Sequence, residues 1–575
     1  MHRIKSGLLK GLTTAMLICA VGSMSLPQAV LAETTQDEVM SDKGAVLASD
    51  DGDVTEAGTT STEESETAQN PEVTGESVNE STEGEATPEA TETPEETTDA
   101  AEIDESTEDS QEELVTEEEE DILETSGKWE ENAKGVRYYT SSKEYLKDGF
   151  HKVDGHYYYF NESGYVQVGW LKVDGYVYYM RTSGNDGNYG KMLTGWQIIS
   201  GKNFYFRTST SHYGAAYMGM HTIKGKVYYF DKSGDLGTKG QVTTGWKTIN
   251  GKIYRFQKTG DLGEKGQAFS GWKKLNKKYY YFTPSGSDKG VMKTGWQTID
   301  ESKYYLKTKG DYEVKGARFT GLHSISGTKY FFNSKGQYIN PHNRTIKGMM
   351  LNGMMPMGYT LYIWGGGHDN ADATRAGVNP NWKAFFKTQG SGYNYNNYRF
   401  KYGAGLDCSG FVGWTTYNTL HKTSGKKSVT NTSGDYGSSY SRRGWGTVQN
   451  GISSPSFRCG DIVGYNGHVW IILGKASDGS YVIMHSSPAG VKLAGTVTTS
   501  GNSNSKAVQL AKRYMKKYFS SYYNKLTNDG YVAGSGYLSG SKLYRFRWTI
   551  GGVMKDPDGY VNMSAEQILK DIFCE

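Results

Sequence analysis

Between residues 127 and 345, short segments of alternating aromatic and polar residues recur at a nearly constant spacing. Two representative units are "HTIKGKVYYFDKSGDLGTKGQVTTGW" and "KTINGKIYRFQKTGDLGEKGQAFSGW". The tyrosine-rich segment has the period-2 pattern of a strand, and a glycine-containing turn leads from it to a second short strand that ends in Gly-Trp. The pattern therefore predicts one β-hairpin in each unit.

Equivalent positions of successive units are 24 or 26 residues apart. A tryptophan follows the last glycine in most units, and Met220 and Leu322 take the same position in two others. One hairpin is marginally stable in water, so we expect successive hairpins to stack in a solenoid and to bury their rings against one another. The tryptophans at this position are Trp170, Trp196, Trp246, Trp272 and Trp296.

A different pattern fills residues 346–575, a length sufficient for one further domain with its own core. After Cys408, the run "SGFVGWTTYNTL" has apolar residues at the spacing of a half-buried helix, which places Cys408 at the helix N-terminus. Backbone N–H groups and the helix dipole stabilise a thiolate there, so we expect a lowered pKa for this thiol. The sequence therefore predicts that Cys408 is a nucleophile.

Two downstream segments each place a histidine on a predicted strand. In "GDIVGYNGHVWIILG" the strand starts at His468, and in "GSYVIMHSSPAGVKL" His485 lies near the end of the next strand. Either histidine alone is more often structural, but in combination with "DCSG" the pair favours catalysis. If the two strands are antiparallel neighbours, His468 is the base for Cys408 and His485 orients His468.

The formal net charge of zero conceals a division of the chain into an acidic and a basic part. Residues 33–125 contain 34 acidic residues and one lysine, whereas the chain from Ser126 onward has 59 Lys and Arg against 29 Asp and Glu. The acidic part is rich in Ser, Thr, Glu and Pro and lacks aromatic residues, which predicts a disordered linker. The basic part favours an anionic surface, or else its charge only balances the acidic arm.

The N-terminus reads as a secretory signal. Arg3, Lys5 and Lys10 precede the apolar run "MLICAVGSMSL", and "AVLA" offers cleavage after Ala32. We therefore expect an exported protein, secreted or associated with the cell wall, with no transmembrane segment and no nucleic-acid partner. Removal of the signal peptide leaves three cysteines, of which at least one is free. The sequence does not decide whether Cys459 and Cys574 form a disulfide.

The "GW…GKxYYF…SG" units resemble the cell-wall-binding repeats of choline-binding proteins, autolysins, clostridial toxins and glucan-binding proteins. This resemblance implies that the repeats bind choline, or another wall polysaccharide or teichoic acid, through aromatic notches. We expect the strongest ligand sites where consecutive units keep the tryptophan, so that a tryptophan bounds the notch at each end. Tyrosines of the intervening strands would form the third wall of such a notch. The predicted ligand-binding residues are Trp246, Tyr254, Trp272, Tyr280 and Trp296.

The C-terminal region resembles the NlpC and p-sixty family of papain-like cell-wall peptidases. The resemblance rests on "YIWGGG", "LDCSGFV", "GDIVGYNGHVWIILG" and "YVIMHSSPAGV", in this order. It implies an α+β papain-like cysteine peptidase that cuts peptidoglycan stem peptides between D-glutamate and a diamino acid, without cofactor or metal. Cys408 would then be the nucleophile, His468 the general base and His485 the orienting residue. Positions that hold the free amino end of the stem peptide in relatives correspond to Tyr362, Asp407 and Ser409.

The chain departs from this family pattern by an insertion of 37 residues, 368–404, which we expect to cap the cleft and to alter specificity. A metal site at His368 with Asp369 or Asp372 has no distinctive ligand spacing. Two other functions stay open: a papain-like N-acetylmuramoyl-L-alanine amidase and a non-catalytic wall adhesin.

The sequence thus predicts a multidomain protein. A signal peptide, 1–32, and a disordered acidic linker, 33–126, precede a β-hairpin solenoid, 127–345, and a cysteine peptidase domain, 346–575.

Overall fold

The computed structural model describes residues 127–184, 188–209, 211–420, 429–525 and 530–575. The predicted signal peptide and acidic linker lie outside these residues. Within them, no helix is both long enough and apolar enough to span a membrane.

Nine antiparallel hairpins occupy the described residues of the repeat region. Their strands are β1 Gly127–Asn132, β2 Gly135–Thr140, β3 Gly149–Val153, β4 His156–Phe160, β5 Gly169–Val173, β6 Tyr176–Met180, β7 Gly195–Ile199, β8 Lys202–Phe206, β9 Gly219–Ile223, β10 Lys226–Phe230, β11 Gly245–Ile249, β12 Lys252–Phe256, β13 Gly271–Leu275, β14 Lys278–Phe282, β15 Gly295–Ile299, β16 Ser302–Leu306, β17 Gly321–Ile325 and β18 Thr328–Phe332.

The hairpins pair different strands from those that the repeat pattern predicts. Each Gly-Trp strand pairs with the tyrosine strand that follows it, as in β11 with β12, and not with the one before. The turn between them has two residues, Asn250 and Gly251, both with positive φ (47° and 72°). Such a turn matches the twist of the two strands, and Asn-Gly is a preferred sequence for it. The glycine-rich segments instead connect one hairpin to the next.

Backbone hydrogen bonds and ring contacts join successive hairpins, as the solenoid prediction requires. The N–H of Ala268, which follows β12, donates to the carbonyl of Val227 in β10 at 2.8 Å. The N–H of Met292 makes the equivalent bond to the carbonyl of Ile253, also at 2.8 Å. Because the connecting segments that follow β4 and each later hairpin reach back in this way, each hairpin in the middle of the series is bonded to its neighbours.

The C-terminal region is built around a seven-stranded mixed sheet with the strand order β19-β25-β20-β21-β22-β23-β24. All neighbours are antiparallel except β23 and β24. The strands are β19 Gly446–Ile452, β20 Ile462–Tyr465, β21 His468–Lys475, β22 Tyr481–Ser487, β23 Gly490–Thr496, β24 Val532–Ala533 and β25 Gly540–Trp548. The helices are α1 Ile346–Met354, α2 Asn370–Ala373, α3 Pro380–Thr388, α4 Cys408–Leu420, α5 Tyr436–Arg442, α6 Lys506–Tyr518, α7 Ser520–Lys525 and α8 Ala565–Phe573.

Helix α4 is the central helix of this region, and every residue in it is buried. It packs against α1 and against strands β21 and β22. The insertion covers its remaining side, where Trp382 of α3 meets Trp414 edge to face at 5.5 Å. The prediction of a half-buried helix is therefore wrong, because the insertion is a packed layer of the domain.

The last hairpin joins the two regions. Phe331 of β18 belongs to the hydrophobic core of the C-terminal region. At the other end of the chain, the Cys574 thiol donates to the carbonyl of Phe332 at 3.4 Å. Cys408, Cys459 and Cys574 are all free, so the pairing of Cys459 with Cys574 that the sequence left open is not formed.

Candidate functional sites

Helix α4 begins at Cys408, as the sequence predicts, and N–H groups of its first turn and of β21 lie around the sulfur. The backbone N–H groups of Val469, Ser409 and Cys408 itself donate to the sulfur. The carboxylate of Asp407 accepts from the N–H of Gly410 at 2.6 Å and so caps the helix. The thiol is consequently fixed between the start of α4 and the start of β21.

The resting thiol is protonated. Burial and the adjacent Asp407 carboxylate raise the pKa of Cys408 to about 12. The surrounding N–H groups act in the opposite direction, but less strongly. The predicted lowering of this pKa is therefore wrong for the free protein, because burial disfavours the thiolate more than the helix N-terminus favours it.

The two predicted histidines are in contact. Strands β21 and β22 are antiparallel neighbours, and they bring Nε2 of His468 within 3.1 Å of Nδ1 of His485. Burial, together with the positive charge of Lys492, lowers the pKa of His468 to about 4. Burial and the neighbouring His468 also hold the pKa of His485 well below its usual value. Both imidazoles are therefore neutral at pH 7 and available as hydrogen-bond partners and bases.

Sequence reasoning missed Tyr537, which packs beside the histidine pair. Its ring centroid lies 5.5 Å from that of His468, 6.1 Å from that of His485 and 4.5 Å from that of Trp470. A ring in this position restricts the rotation of both imidazoles. Because Tyr537 follows the second histidine by more than fifty residues and has no distinctive neighbours, no local pattern pointed to it.

The structure brings together Asp407 and Ser409, two of the residues that were predicted to hold the free amino end of a stem peptide. His368 of the insertion contacts both of them. His368 Nε2 lies 2.9 Å from Ser409 Oγ and 3.3 Å from Asp407 Oδ2. The Asp407 carboxylate also accepts from Ser409 Oγ at 2.9 Å and from the N–H of Gly365 at 3.1 Å. The hydrogen bond to Asp407 raises the pKa of His368. The chain thus supplies its own hydrogen-bonding partner for this carboxylate.

Tyr362 is the third residue predicted to hold the amino end of a stem peptide, and it is buried near Asp407 and Ser409. Burial and the nearby Cys408 and Asp407 raise the pKa of its hydroxyl. The insertion holds the backbone here, because Tyr393 Oη donates to the carbonyl of Tyr362 at 2.6 Å, and the Tyr395 ring meets the Tyr362 ring edge to face at 5.2 Å. The insertion therefore packs against Tyr362, and its role as a cap over the cleft stays a prediction.

Asp372 has a structural role in the insertion. Its buried carboxylate accepts from Asn379 Nδ2 at 2.8 Å and from Trp382 Nε1 at 3.3 Å, and so fixes the start of α3. Within the part of the chain that the structure describes, no cluster of three His, Cys, Asp or Glu side chains could hold a metal ion.

In the repeats, the ring at each Gly-Trp position packs on an aromatic ring of the following hairpin, which is Phe204 for Trp170 and a tyrosine for the others. The ring centroids are 5.7 Å apart for Trp246 and Tyr280, 4.9 Å for Trp272 and Tyr304, and 5.0 Å for Trp296 and Tyr330. Tyr254 instead shares a cluster with Met220. The three tryptophans therefore mark separate ring clusters, and the structure does not place Tyr254 as a wall between Trp246 and Trp272.

The three ring clusters differ in what lies over the tryptophan. A guanidinium covers two of them, with Arg255 5.4 Å from the Trp246 centroid and Arg318 5.5 Å from the Trp272 centroid. In the described part of the chain, no Lys or Arg lies over Trp296, whose side chain is 41% exposed. Trp296 forms an open notch with aromatic walls, and these walls are Tyr305, Tyr330 and Tyr338.

This difference predicts which tryptophan holds a wall ligand. Trp296→Ala should weaken retention on cell walls roughly fivefold, since a lost cation–π contact costs about 1 kcal/mol. Trp272→Ala is the matched control, because it removes an equivalent ring whose face Arg318 already covers. Retention is measured in wall pull-down assays on variants with unchanged circular dichroism. Equal losses for both variants would assign the rings to packing alone.

Comparison with known proteins agrees with the architecture of the repeats. Six segments match the family model described as "Putative cell wall binding repeat": residues 148–166, 168–185, 221–236, 244–262, 270–287 and 294–312. The hairpin region therefore carries cell-wall-binding repeats. A search of curated protein sequences gives no match.

Three solved structures illustrate the similarity. CbpJ from Streptococcus pneumoniae TIGR4 is 24% identical, with 36% of this chain and 71% of that chain covered and a TM-score of 0.29. Choline binding protein F from Streptococcus pneumoniae, solved with a peptidoglycan analogue, is 25% identical over 36% and 70% of the two chains, with a TM-score of 0.28. The pneumococcal cell wall endolysin from phage Cp-1, complexed with choline, is 25% identical over 26% and 40%, with a TM-score of 0.18.

Proposed function

We propose that this chain is a secreted peptidoglycan hydrolase that cleaves stem peptides with Cys408 as its nucleophile. The observation that carries the proposal is the position of Cys408 at the start of α4, where its sulfur accepts from the N–H of Val469, the residue that follows His468 in β21, while His468 contacts His485. A thiol next to an oriented base is the arrangement that thiol-dependent acyl transfer requires. It also agrees with the resemblance to the papain-like NlpC and p-sixty peptidases.

Because the Cys408 thiol and the His468 imidazole are both uncharged at the start, the first step includes a proton transfer between them. As the Cys408 sulfur attacks the peptide carbonyl, its proton passes to His468, and the N–H groups around the sulfur stabilise the developing negative charge. Nε2 of His468 is engaged with His485, which leaves Nδ1 to accept this proton. His468 then gives the proton to the leaving amine, and a thioester remains on Cys408. Water hydrolyses the thioester and restores the free thiol.

The repeats supply the second half of the proposed function. Cell-wall-binding repeats with an open aromatic notch at Trp296 suit a quaternary ammonium such as choline, or the face of a wall sugar. Retention on the wall raises the effective concentration of stem peptides around the Cys408 cleft. The proposed substrate bond is the one between D-glutamate and the diamino acid.

In this proposal, His368 controls how well the substrate's free amino end binds to Asp407 and Ser409. A substrate ammonium that reaches Asp407 must displace the imidazole that already contacts Asp407 and Ser409. His368→Asn should therefore raise kcat/KM for stem peptides with a free amino end roughly three- to tenfold, the equivalent of one hydrogen bond. The same peptide with an acetylated amino end is the control and should be cleaved at an unchanged rate. A lower kcat/KM for the free-amine peptide would show that His368 helps to bind it.

Mass analysis of peptidoglycan digested by the full chain tests the proposed function. Stem-peptide fragments that end in D-glutamate are the expected products. Glycan strands freed of intact peptides would identify an amidase that cuts between muramic acid and L-alanine. Absence of any product would identify a wall adhesin.

A further inference from the structure

A cavity of about 470 Å³ lies between the last hairpin and the C-terminal region, away from Cys408. One wall is the turn and second strand of the hairpin, with Tyr330 and Tyr338. The opposite wall contains Tyr359 and the first turn of α3, which belongs to the insertion. This volume is in the range of pockets that hold small organic molecules.

Apart from its tyrosines, the ionisable side chains around this cavity are basic. Lys329 and Lys383 enter it from opposite walls, and His342 lies at its edge. None of the described residues that line it is acidic. Both lysines approach the face of Tyr359, with the Nζ atoms of Lys329 and Lys383 at 4.1 and 5.8 Å from the ring centroid. The cavity therefore brings two lysine side chains together without a carboxylate among the described lining residues to balance them.

Lys329 is held in place, whereas Lys383 approaches from a helix surface. The Lys329 ammonium donates to the carbonyl of Met355 at 2.8 Å and to the carbonyl of Met357. Burial, and repulsion from Lys383, hold the pKa of Lys329 well below its usual value. An anion in the cavity would favour the charged form of Lys329.

The aromatic walls indicate what the anion is attached to. Tyr330 and Tyr338 line the cavity and also form the open notch with Trp296. The cavity thus shares two aromatic side chains with the Trp296 notch, and such rings suit the apolar face of a sugar or polyol. A ligand with an organic body and a compact anionic group fits both features.

We propose that this cavity binds the phosphate group of a sugar phosphate or polyol phosphate. Lys383 and Lys329 contact the phosphate, and the tyrosines pack on the organic part. The site joins the wall-binding repeats to the insertion, and it would give the insertion a role in wall recognition. It does not depend on Cys408 and holds whether or not the cleft is catalytic.

Calorimetric titration of the full chain with glycerol 3-phosphate tests this proposal. We expect saturable binding of one phosphate ester, and Lys383→Gln should weaken it about tenfold or more, because a charge-assisted hydrogen bond is lost. Lys387→Gln is the matched control, since this exposed lysine lies one turn further along α3 and does not line the cavity. Lys383→Arg keeps the charge and should retain most of the affinity. Glycerol should not bind.

Three outcomes would overturn the proposal. Glycerol 3-phosphate at millimolar concentration gives no binding to the wild-type chain, or glycerol binds as well as its phosphate. Alternatively, Lys383→Gln and Lys387→Gln bind with the affinity of the wild type. If Lys383→Gln fails to fold, glycerol 3-phosphate is titrated into Lys383→Arg at increasing salt concentration. An affinity that does not fall with salt would show that the binding is not electrostatic and would overturn the proposal.

Discussion

Cys408→Ser is expected to reduce the hydrolysis of stem peptides by a factor of ~10³ or more while leaving retention on cell walls unchanged. Serine keeps the position at the start of α4, but its hydroxyl is a much weaker nucleophile beside the same neutral imidazole. The measurement is the rate at which new amino groups appear in digested peptidoglycan. It is made together with a wall pull-down assay.

Cys574→Ser is the matched control for this variant. It changes another free cysteine, whose thiol contacts the carbonyl of Phe332 far along the chain from the cleft. We expect wild-type hydrolysis from Cys574→Ser. A Cys408→Ser protein that hydrolyses walls at the wild-type rate would exclude Cys408 as the nucleophile.

The second large effect is expected for His468→Ala, which should lower kcat by roughly 10²- to 10⁴-fold, the usual contribution of a general base. The loss should be this large because burial raises the pKa of the Cys408 thiol and keeps it protonated. The sulfur can then attack only if a neighbouring base removes its proton. Rates are measured with a defined stem peptide, and the thermal unfolding temperature shows whether the variant is folded.

His485→Asn provides the comparison for His468→Ala. An amide oxygen in this position still accepts the hydrogen bond from Nε2 of His468, so we expect this variant to keep part of the activity. Loss of activity in His485→Asn equal to that in His468→Ala would show that His485 does more than orient its neighbour. Full activity in His468→Ala would remove it from the mechanism.

The elements that the sequence predicted well have strong local signals. The start of α4 at Cys408 follows from the helical spacing after it, and the contact of the two histidines follows from strands that are adjacent in sequence. The hairpin pairing was predicted wrongly, although Asn250-Gly251 is itself a strong signal for a two-residue turn. The longer glycine-rich segment was taken for the turn because glycine is more frequent there.

The errors at the site come from tertiary packing, which a local pattern does not contain. The dipole argument for a low Cys408 pKa omitted burial, and burial depends on the insertion, the sheet and α1 closing around α4. The contact of His368 with Asp407 joins residues 39 positions apart, and Tyr254 packs beside Met220 because rings contact the next hairpin. Such long-range contacts are invisible in the periodicity of one segment.

The most direct test of the central claim uses two defined substrates, L-alanyl-γ-D-glutamyl-L-lysine and its N-acetylated form. Each is incubated with the full chain and, in parallel, with Cys408→Ser, and the products are identified by mass spectrometry. The proposed mechanism predicts free lysine together with the corresponding dipeptide from the wild-type chain, and intact tripeptide from Cys408→Ser. Intact tripeptide in both incubations, or equal cleavage by both proteins, would contradict it.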